Sequence, residues 1–381
     1  MDLTLKSNAF LQMSEAAHAI SNPATREWKE QQGRVMGYFC SAMPEELFTA
    51  GGFLPFRARA TGSTGTASSD SYFSNLNCSF VRHCFDMALL GEFDFFDGLV
   101  LLNSCDNVRR IYDHWTRQIK TPFVRILSFP RKREEPQIDW YERELRRLKE
   151  EMEEHFTISI TNDQLWEAIR LHNETRGLQR RLYELRKGEK PPISGADTLA
   201  VIVAGTAMPK QTYNGLLREL LEDLSDAEGI DGYQARLMIL GSILDDPNYL
   251  RVIEDQGGLV VTDSTCFGSR IMWADVSEEV DDPIRALAQY YVRDRQSCPR
   301  TFGDYERRQA FVEDLVREFK VDGVIGERLT FCDQWGFSQY SITNDFKEAG
   351  IPYLCLEREY LLSAVGQLRT RVQAFLETLG S

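Results

Sequence analysis

The sequence predicts an α/β protein built of two Rossmann-like or flavodoxin-like domains, with parallel sheets covered by helices and additional helices outside them. Three observations carry this. Apolar runs bounded by turn residues recur along the chain, as at 99–102, 235–244 and 257–266, and a strand covered on both faces reads as such a continuous run. In the second half, helical stretches fill most of the intervals between runs, the rhythm of a parallel sheet with helical connections. The 381 residues, 43% hydrophobic and 27% charged, suffice for two cores.

Taken in order, the chain opens with helical pieces and reaches GYFCSAMPEELFTAGG at 37–52. Pro44, Glu45 and Glu46 suit the first turn of a helix, where a missing N–H costs nothing and negative charge meets the positive helix end. Gly51 and Gly52 stop it. SFVRHCFDMALL at 79–90 reads as an amphipathic helix, Leu99 to Leu102 as a buried strand, and TPFVRILSFP at 121–130 as another strand closed by Pro130. From Ile138 to Lys187 two charged helices follow, the second capped from Asn162 or Asp163. Their interspersed Glu residues and i,i+4 charge pairs describe a solvated face rather than a nucleic-acid arm. KGEKPPISGAD at 187–197 is the expected linker, dividing an N-terminal α/β domain with helical additions, 1–195, from a doubly wound domain, 196–381. Beyond it, strands are expected at 199–205, 235–244, 257–266, 321–332 and 351–357, and helices at 211–224, 247–256, 305–319, 337–348 and 363–378.

A net charge of −14 argues against general affinity for nucleic acid or anionic lipid. No apolar run reaches membrane-spanning length, and MDLTLKSNAF lacks the basic-then-apolar order of a secretory signal, so a cytoplasmic protein is expected. The eight cysteines, Cys40, Cys78, Cys84, Cys105, Cys266, Cys298, Cys332 and Cys355, contain no C-x-x-C pair. A local zinc-ribbon or ferredoxin template is therefore absent, and any thiolate site must be assembled from distant segments. Cys105, Cys266 and Cys332 each fall just beyond an apolar run, where the strand ends of a parallel sheet line its ligand crevice. The bland reading is that they are small buried residues; if they hold a metal, thiolates favour zinc or an iron–sulfur cluster. AGTAMPKQTYNG at 204–215 is neither a dinucleotide fingerprint nor a P-loop, and the five histidines form no ligand motif.

Read together, GYFCSAMPEELFTAGG, NSCDNVRRIYDHW, GGLVVTDSTCFGSR, CPR at 298–300, VDGVIGERLTFCD, LEREY and GQLRTRVQAFLE resemble the 2-hydroxyacyl-CoA dehydratase and benzoyl-CoA reductase family, from Trp28 to Glu377. The resemblance implies an iron–sulfur subunit holding a [4Fe-4S] cluster through Cys78, Cys105 and Cys332. It further implies a related cluster-binding subunit, a separate ATP-dependent iron–sulfur activator and a coenzyme A thioester substrate. The implied reaction is radical elimination of water from a 2-hydroxyacyl-CoA to a 2-enoyl-CoA. Ring reduction of an aromatic acyl-CoA, or a noncatalytic relay role, is the alternative. The same resemblance sets Ser41 and Glu46 as catalytic candidates, with Glu45 close to the substrate; Cys266, beyond its strand, and Arg270, among the arginines at 270, 300, 307, 308 and 358 that could meet a ligand's phosphates, are candidates beside the cluster or substrate. Against a catalytic reading of Glu45 and Glu46, acidic residues in a first helical turn are often only favourable to the helix.

Overall fold

In the computed structural model, which describes residues 7–380, the first half runs α1 (Asn8–His18), α2 (Pro23–Glu30), β1 (Arg34–Tyr38), α3 (Glu45–Ala50), β2 (Phe53–Arg57), α4 (Ser79–Leu89), β3 (Gly98–Leu102), α5 (Asp106–Gln118), β4 (Phe123–Leu127), α6 (Glu135–Phe156) and α7 (Asn162–Glu184). The second runs α8 (Gly195–Ala204), α9 (Lys210–Ser225), β5 (Ala235–Gly241), α10 (Pro247–Glu254), β6 (Gly258–Ser264), α11 (Pro283–Gln289), α12 (Tyr305–Glu318), β7 (Gly323–Leu329), α13 (Asp333–Glu348), β8 (Tyr353–Arg358) and α14 (Val365–Leu379).

Two four-stranded sheets result, ordered β2-β1-β3-β4 and β6-β5-β7-β8. Every pairing is parallel. Both sheets therefore have the doubly wound order in which the first and third strands are neighbours, and chain direction switches between them. Burial follows the parallel pattern: β3, β5 and β6 are buried at every position. Helices cover both sheets, as the alternation of apolar runs and helical stretches requires.

Packing crosses the midpoint of the sequence. The apolar face of α1, including Phe10 and Met13, packs into the core of α8, α9, β5 and β6, while α11 packs with α6 and α7 around Leu145, Leu148 and Ile169. A third cluster joins Val35, Leu99, Leu101 and Trp115 of the first sheet's surroundings to Leu329 and Tyr360 of the second. Tyr360 fixes that junction: its backbone N donates to Ser79 Oγ at 2.9 Å and its hydroxyl to Asp245 Oδ2 at 2.7 Å.

Three local expectations are corrected. LAVIVAG at 199–205 lies in α8, not in a strand; Ser194 caps that helix by accepting from Asp197 N. All ten residues of α8 are buried, so its apolar run carries no amphipathic period. The second charged helix starts one residue early, with Thr161 and Gln164 forming a reciprocal capping box. Two strands, β1 and β2, flank the GYFCSAMPEELFTAGG segment, which places Cys40 and Ser41 just after a strand end.

Candidate functional site

Both sheets aim their strand C-termini at one partly open cavity of about 110 Å3. The first sheet contributes Phe39, Cys40 and Ser41 after β1 and Ser104 and Cys105 after β3; the second contributes Ser242 and Ile243 after β5, Cys266 after β6 and Cys332 after β7. These are the switch points of two doubly wound sheets facing each other. Cys78 and Cys298 complete the lining thiols, making six of the eight cysteines. Cys84 is buried elsewhere on α4, and Cys355 lies on β8.

Cys78, Cys105 and Cys332 share one local design: each is the N-cap residue of a helix, α4, α5 and α13 respectively. Cys105 Sγ accepts from Val108 N at 3.5 Å. The positive ends of three helices thus converge on the cavity, an arrangement that favours anionic sulfur or an anionic occupant. Asn107 ties two of these caps together, its Oδ1 accepting from Cys78 N at 3.0 Å and from Asn77 Nδ2 at 3.1 Å. Burial nonetheless dominates the free thiols: it pushes Cys78 up to about 11 and Cys105 up to about 12, against the backbone N–H groups that pull them down. Cys332 is raised well above its ordinary value, first by burial and then by Cys78. With nothing bound, all three are neutral thiols at physiological pH, so a thiophilic occupant must displace protons.

Buried arginines supply the opposite charge. Arg57, 1% exposed, donates from Nε to Phe39 O at 3.0 Å and from Nη1 to Cys266 O at 2.6 Å, with its guanidinium over the Phe267 ring. Arg300, 6% exposed, donates to the carbonyls of Pro130, Phe129 and Asn103. Arg270 donates to Cys266 Sγ at 3.2 Å and to the carbonyls of Gly241 and Ser264. None of the three has a carboxylate partner among the described residues. Isolated buried cations are costly, so the cavity favours a net negative guest.

Among the described residues, no three or more His, Cys, Asp or Glu side chains converge closely enough to hold a single metal ion. The thiols line a cavity instead of meeting at a point.

The remaining candidates fall behind Ser41. A smaller polar cavity of about 40 Å3 is lined by Ser41, Glu45, His172, Lys210, Tyr290 and Arg295 among others, so Ser41 borders both cavities. Arg295 Nη1 donates to Ser41 O at 2.5 Å and Nη2 to Ser41 Oγ at 3.3 Å. Glu45 accepts from Tyr38 OH at 2.5 Å and pairs with Lys210 at 2.7 Å. Burial raises its carboxyl, but Lys210 and His172 outweigh burial and hold it below the usual range. Glu46 lines neither cavity; it is fully buried, with Oε1 paired to Arg176 and Oε2 accepting from Tyr291 OH at 2.8 Å. Asn107 and Arg57 are the neighbours of the thiols that sequence reading passed over, whereas Arg300, in the CPR motif, is among the arginines it offers for a ligand's phosphates. Asn107 was within the NSCDN motif, whereas Arg57 carries no signal until burial sets it beside the cavity.

Fold and site together define a two-sheet α/β protein with a thiol-lined crevice between opposed switch points. The family model described as 2-hydroxyglutaryl-CoA dehydratase, D-component, matches residues 40–379. The chain belongs to that family. It is 25% identical over 363 residues to one of the subunits of benzoyl-CoA reductase from Thauera aromatica, covering 93% of this chain and 94% of that protein. It is 24% identical over 364 residues to the (R)-phenyllactyl-CoA dehydratase beta subunit of Clostridium sporogenes, covering 94% and 96%. Identity to the (R)-2-hydroxyglutaryl-CoA dehydratase beta subunit of Acidaminococcus fermentans is 24% over 382 residues, covering 98% and 99%. Among the described residues, no helix is long and apolar enough to cross a membrane.

Proposed function

We propose that this chain is the iron–sulfur subunit of a 2-hydroxyacyl-CoA dehydratase, holding a [4Fe-4S] cluster through Cys78, Cys105 and Cys332. The observation that carries the reading is the convergence of these three thiols, each at a helix N-cap position and drawn from both halves of the chain, on one cavity. The residues fit such a group. The donors are soft thiols, as iron–sulfur clusters require. A cluster is a body of several irons, so its thiolates stand around it rather than meeting at a point. Its negative charge answers the buried guanidinium groups of Arg57 and Arg300. Bound there, the cluster would supply a single low-potential electron to chemistry at the coenzyme A thioester.

The protein's own side chains have three tasks in this reading. Phe39, Phe80, Val81 and Leu329 line the cavity with apolar surface and exclude water that would divert a radical. Ser41, bordering both cavities, offers its hydroxyl to the substrate's 2-hydroxyl or thioester oxygen. Arg295 orients that hydroxyl by donating to its oxygen. Glu46 acts as a positioning residue: held by Arg176 and Tyr291, it fixes the first turn of α3, while Glu45 faces the polar cavity. The expected partners are a related cluster-binding subunit and an ATP-dependent iron–sulfur activator, in the cytoplasm. The relatives named as subunits of dehydratases and of a reductase support a multi-subunit assembly.

Similarity to the benzoyl-CoA reductase subunit favours a second reading, ring reduction of an aromatic acyl-CoA. Incubation of the reduced, activated complex with 2-hydroxyacyl-CoA and aromatic acyl-CoA thioesters in parallel separates the two. Net dehydration without stoichiometric electron consumption supports the dehydratase; ring reduction that consumes electrons in proportion to product overturns it. Cys78→Ala, Cys105→Ala and Cys332→Ala should each lose the cluster's EPR signal after anaerobic purification. Retention of full iron in any of them breaks the ligand assignment.

A further inference from the structure

The polar cavity behind Ser41 gathers several groups able to pass a proton. Ser41, Glu45, His172 and Lys210 all line it. At about 40 Å3 it has room for a water or two, each needing about 10–15 Å3. His172, on α7 and 4% exposed, links this cavity to a second space. Its Nε2 lies 2.8 Å from Thr49 Oγ1. Thr49, half-buried near the end of α3, also lines a broad open groove together with Ser159, Gln164 and Gln211. Among the described residues Thr49 is the one hydrogen-bond partner of the His172 ring, which leaves Nδ1 for the polar cavity that the ring borders.

The charges around the ring keep it in the form that both gives and takes a proton. Lys210 reaches Glu45 Oε2 at 2.7 Å and donates to Gly205 O at 2.5 Å, while Tyr38 OH donates to Glu45 Oε1 at 2.5 Å. Arg176, on the same helix as His172, is held by Glu46, and Tyr290, Tyr291 and Arg295 close the cavity from the segment after α11. Burial first, then Lys210 and Arg176, hold the imidazole well below its ordinary range, with Glu45 pulling the other way. A neutral imidazole carries one N–H and one lone pair, so it relays a proton by exchanging one tautomer for the other. On the far side of Ser41 the thiol-lined cavity is largely apolar, and radical chemistry there requires water to be kept out. A proton for Ser41 must therefore come from the polar side.

We propose that Thr49 and His172 carry protons between the outer groove and Ser41, with a water in the polar cavity as the last link. The inference deepens the dehydratase reading above and rests on it for the reaction served. As the substrate's C2–O bond breaks, Ser41 Oγ gives its proton to the departing hydroxide, which becomes water, and Ser41 is reprotonated by the cavity water. That water draws on His172 Nδ1, His172 takes the Thr49 proton at Nε2, and groove water restores Thr49. The proton then lost from C3 leaves by the reverse sequence, which returns the imidazole to its first tautomer without a ring flip. One proton enters and one leaves in each turnover, and no electron moves along the path.

The test uses the full complex, purified anaerobically with isotope-labelled histidine, as wild type, Thr49→Val, Thr49→Ser, His172→Gln and, as a control at an exposed position of α1, His18→Gln. Iron per chain is measured first and should be equal in every sample. Exchange of the His172 ring N–H with solvent is then followed by NMR, its resonance recognised by its absence from His172→Gln. Thr49→Val keeps the shape and loses the hydroxyl, so it should slow both this exchange and kcat about tenfold or more while KM holds. Thr49→Ser keeps the hydroxyl and should retain both rates, which a merely structural role for Thr49 does not predict. His172→Gln should lose kcat by a similar factor, and His18→Gln should lose nothing. Exchange and kcat in Thr49→Val equal to wild type overturn the proposal, because solvent then feeds the polar cavity directly. Slow exchange with unchanged kcat overturns it as well, since the path then does not serve the reaction. A wild-type complex that holds iron and reduces an aromatic ring instead of dehydrating defeats the dehydratase reading, and the exchange rates of the Thr49 variants then judge the path by itself. Should His172→Gln fail to fold, kcat in Thr49→Val against Thr49→Ser decides, and equal values defeat the proposal.

Discussion

Replacing Glu46 by Gln separates two roles for the same carboxylate. Glu46 is fully buried at the start of α3, and both of its oxygens are engaged, one by Arg176 and the other by Tyr291. Arg176 is itself 7% exposed, with its guanidinium over the Tyr290 ring at 4.5 Å. Gln keeps the shape and one acceptor but leaves the Arg176 cation buried without a counter-charge. Removing one partner of a buried ion pair costs about 3–5 kcal/mol. Replacing the pair together, as Glu46→Gln with Arg176→Met, removes the stranded charge and should recover most of that loss. Anaerobic urea denaturation followed by far-UV circular dichroism measures both variants, and turnover is measured alongside. A positioning role predicts a large stability loss in Glu46→Gln that the double variant largely repairs. A loss below about 1 kcal/mol with turnover abolished would refute the reasoning and return Glu46 to the role of a proton-transfer group.

Other perturbations follow from the same contacts. In Gly268→Ala the new Cβ would lie 1.8 Å from Asp263 Oδ1, so the turn that carries Cys266 must move; overpacking of this kind costs about 1–3 kcal/mol, and iron content should fall with the urea midpoint. Thr161→Ala removes the capping box of α7, a site far from the thiols, and should cost about 1 kcal/mol while iron content stays unchanged. Glu254 is raised from 4.5 to about 7 by burial, against the backbone N–H groups of Gly195, Ala196 and Val260. Its folded form therefore binds the proton more tightly than the unfolded chain: the stabilisation is complete below pH 4.5 and is lost as pH rises through about 7. At about 1.4 kcal/mol per pH unit between 4.5 and about 7, the change amounts to at most about 3.5 kcal/mol. Urea midpoints across that range should fall more steeply with pH in wild type than in Glu254→Gln.

Parallel strands buried on both faces were readable because burial leaves an unbroken apolar run: Leu99 to Leu102 and the stretches around Leu237 and Val260 all lie in strands. The short strands flanking Cys40 were not, for reasons of composition. β1 contains Gly37, and β2 contains Pro55, which a strand tolerates because β2 is the sheet edge. α8 was misread because a helix buried on every side shows no period. Cys105 and Cys332 were legible as thiols beyond strand ends. Cys78, which follows a loop rather than a strand, was reached through resemblance alone. What no local pattern carries is the meeting of the two sheets, which sets Cys40, Cys266, Cys298 and the buried Arg57 and Arg300 around one space. We propose that the two α/β units divide near residue 195, at the cap of α8, and that their facing strand ends create the site.

The most direct test of the central claim is iron-edge anomalous scattering from crystals of the anaerobically purified complex. A compact iron peak in the cavity, within bonding distance of the sulfurs of Cys78, Cys105 and Cys332, is the result predicted. A cavity filled by solvent or by part of an acyl-CoA, with iron bound elsewhere or absent, would contradict it.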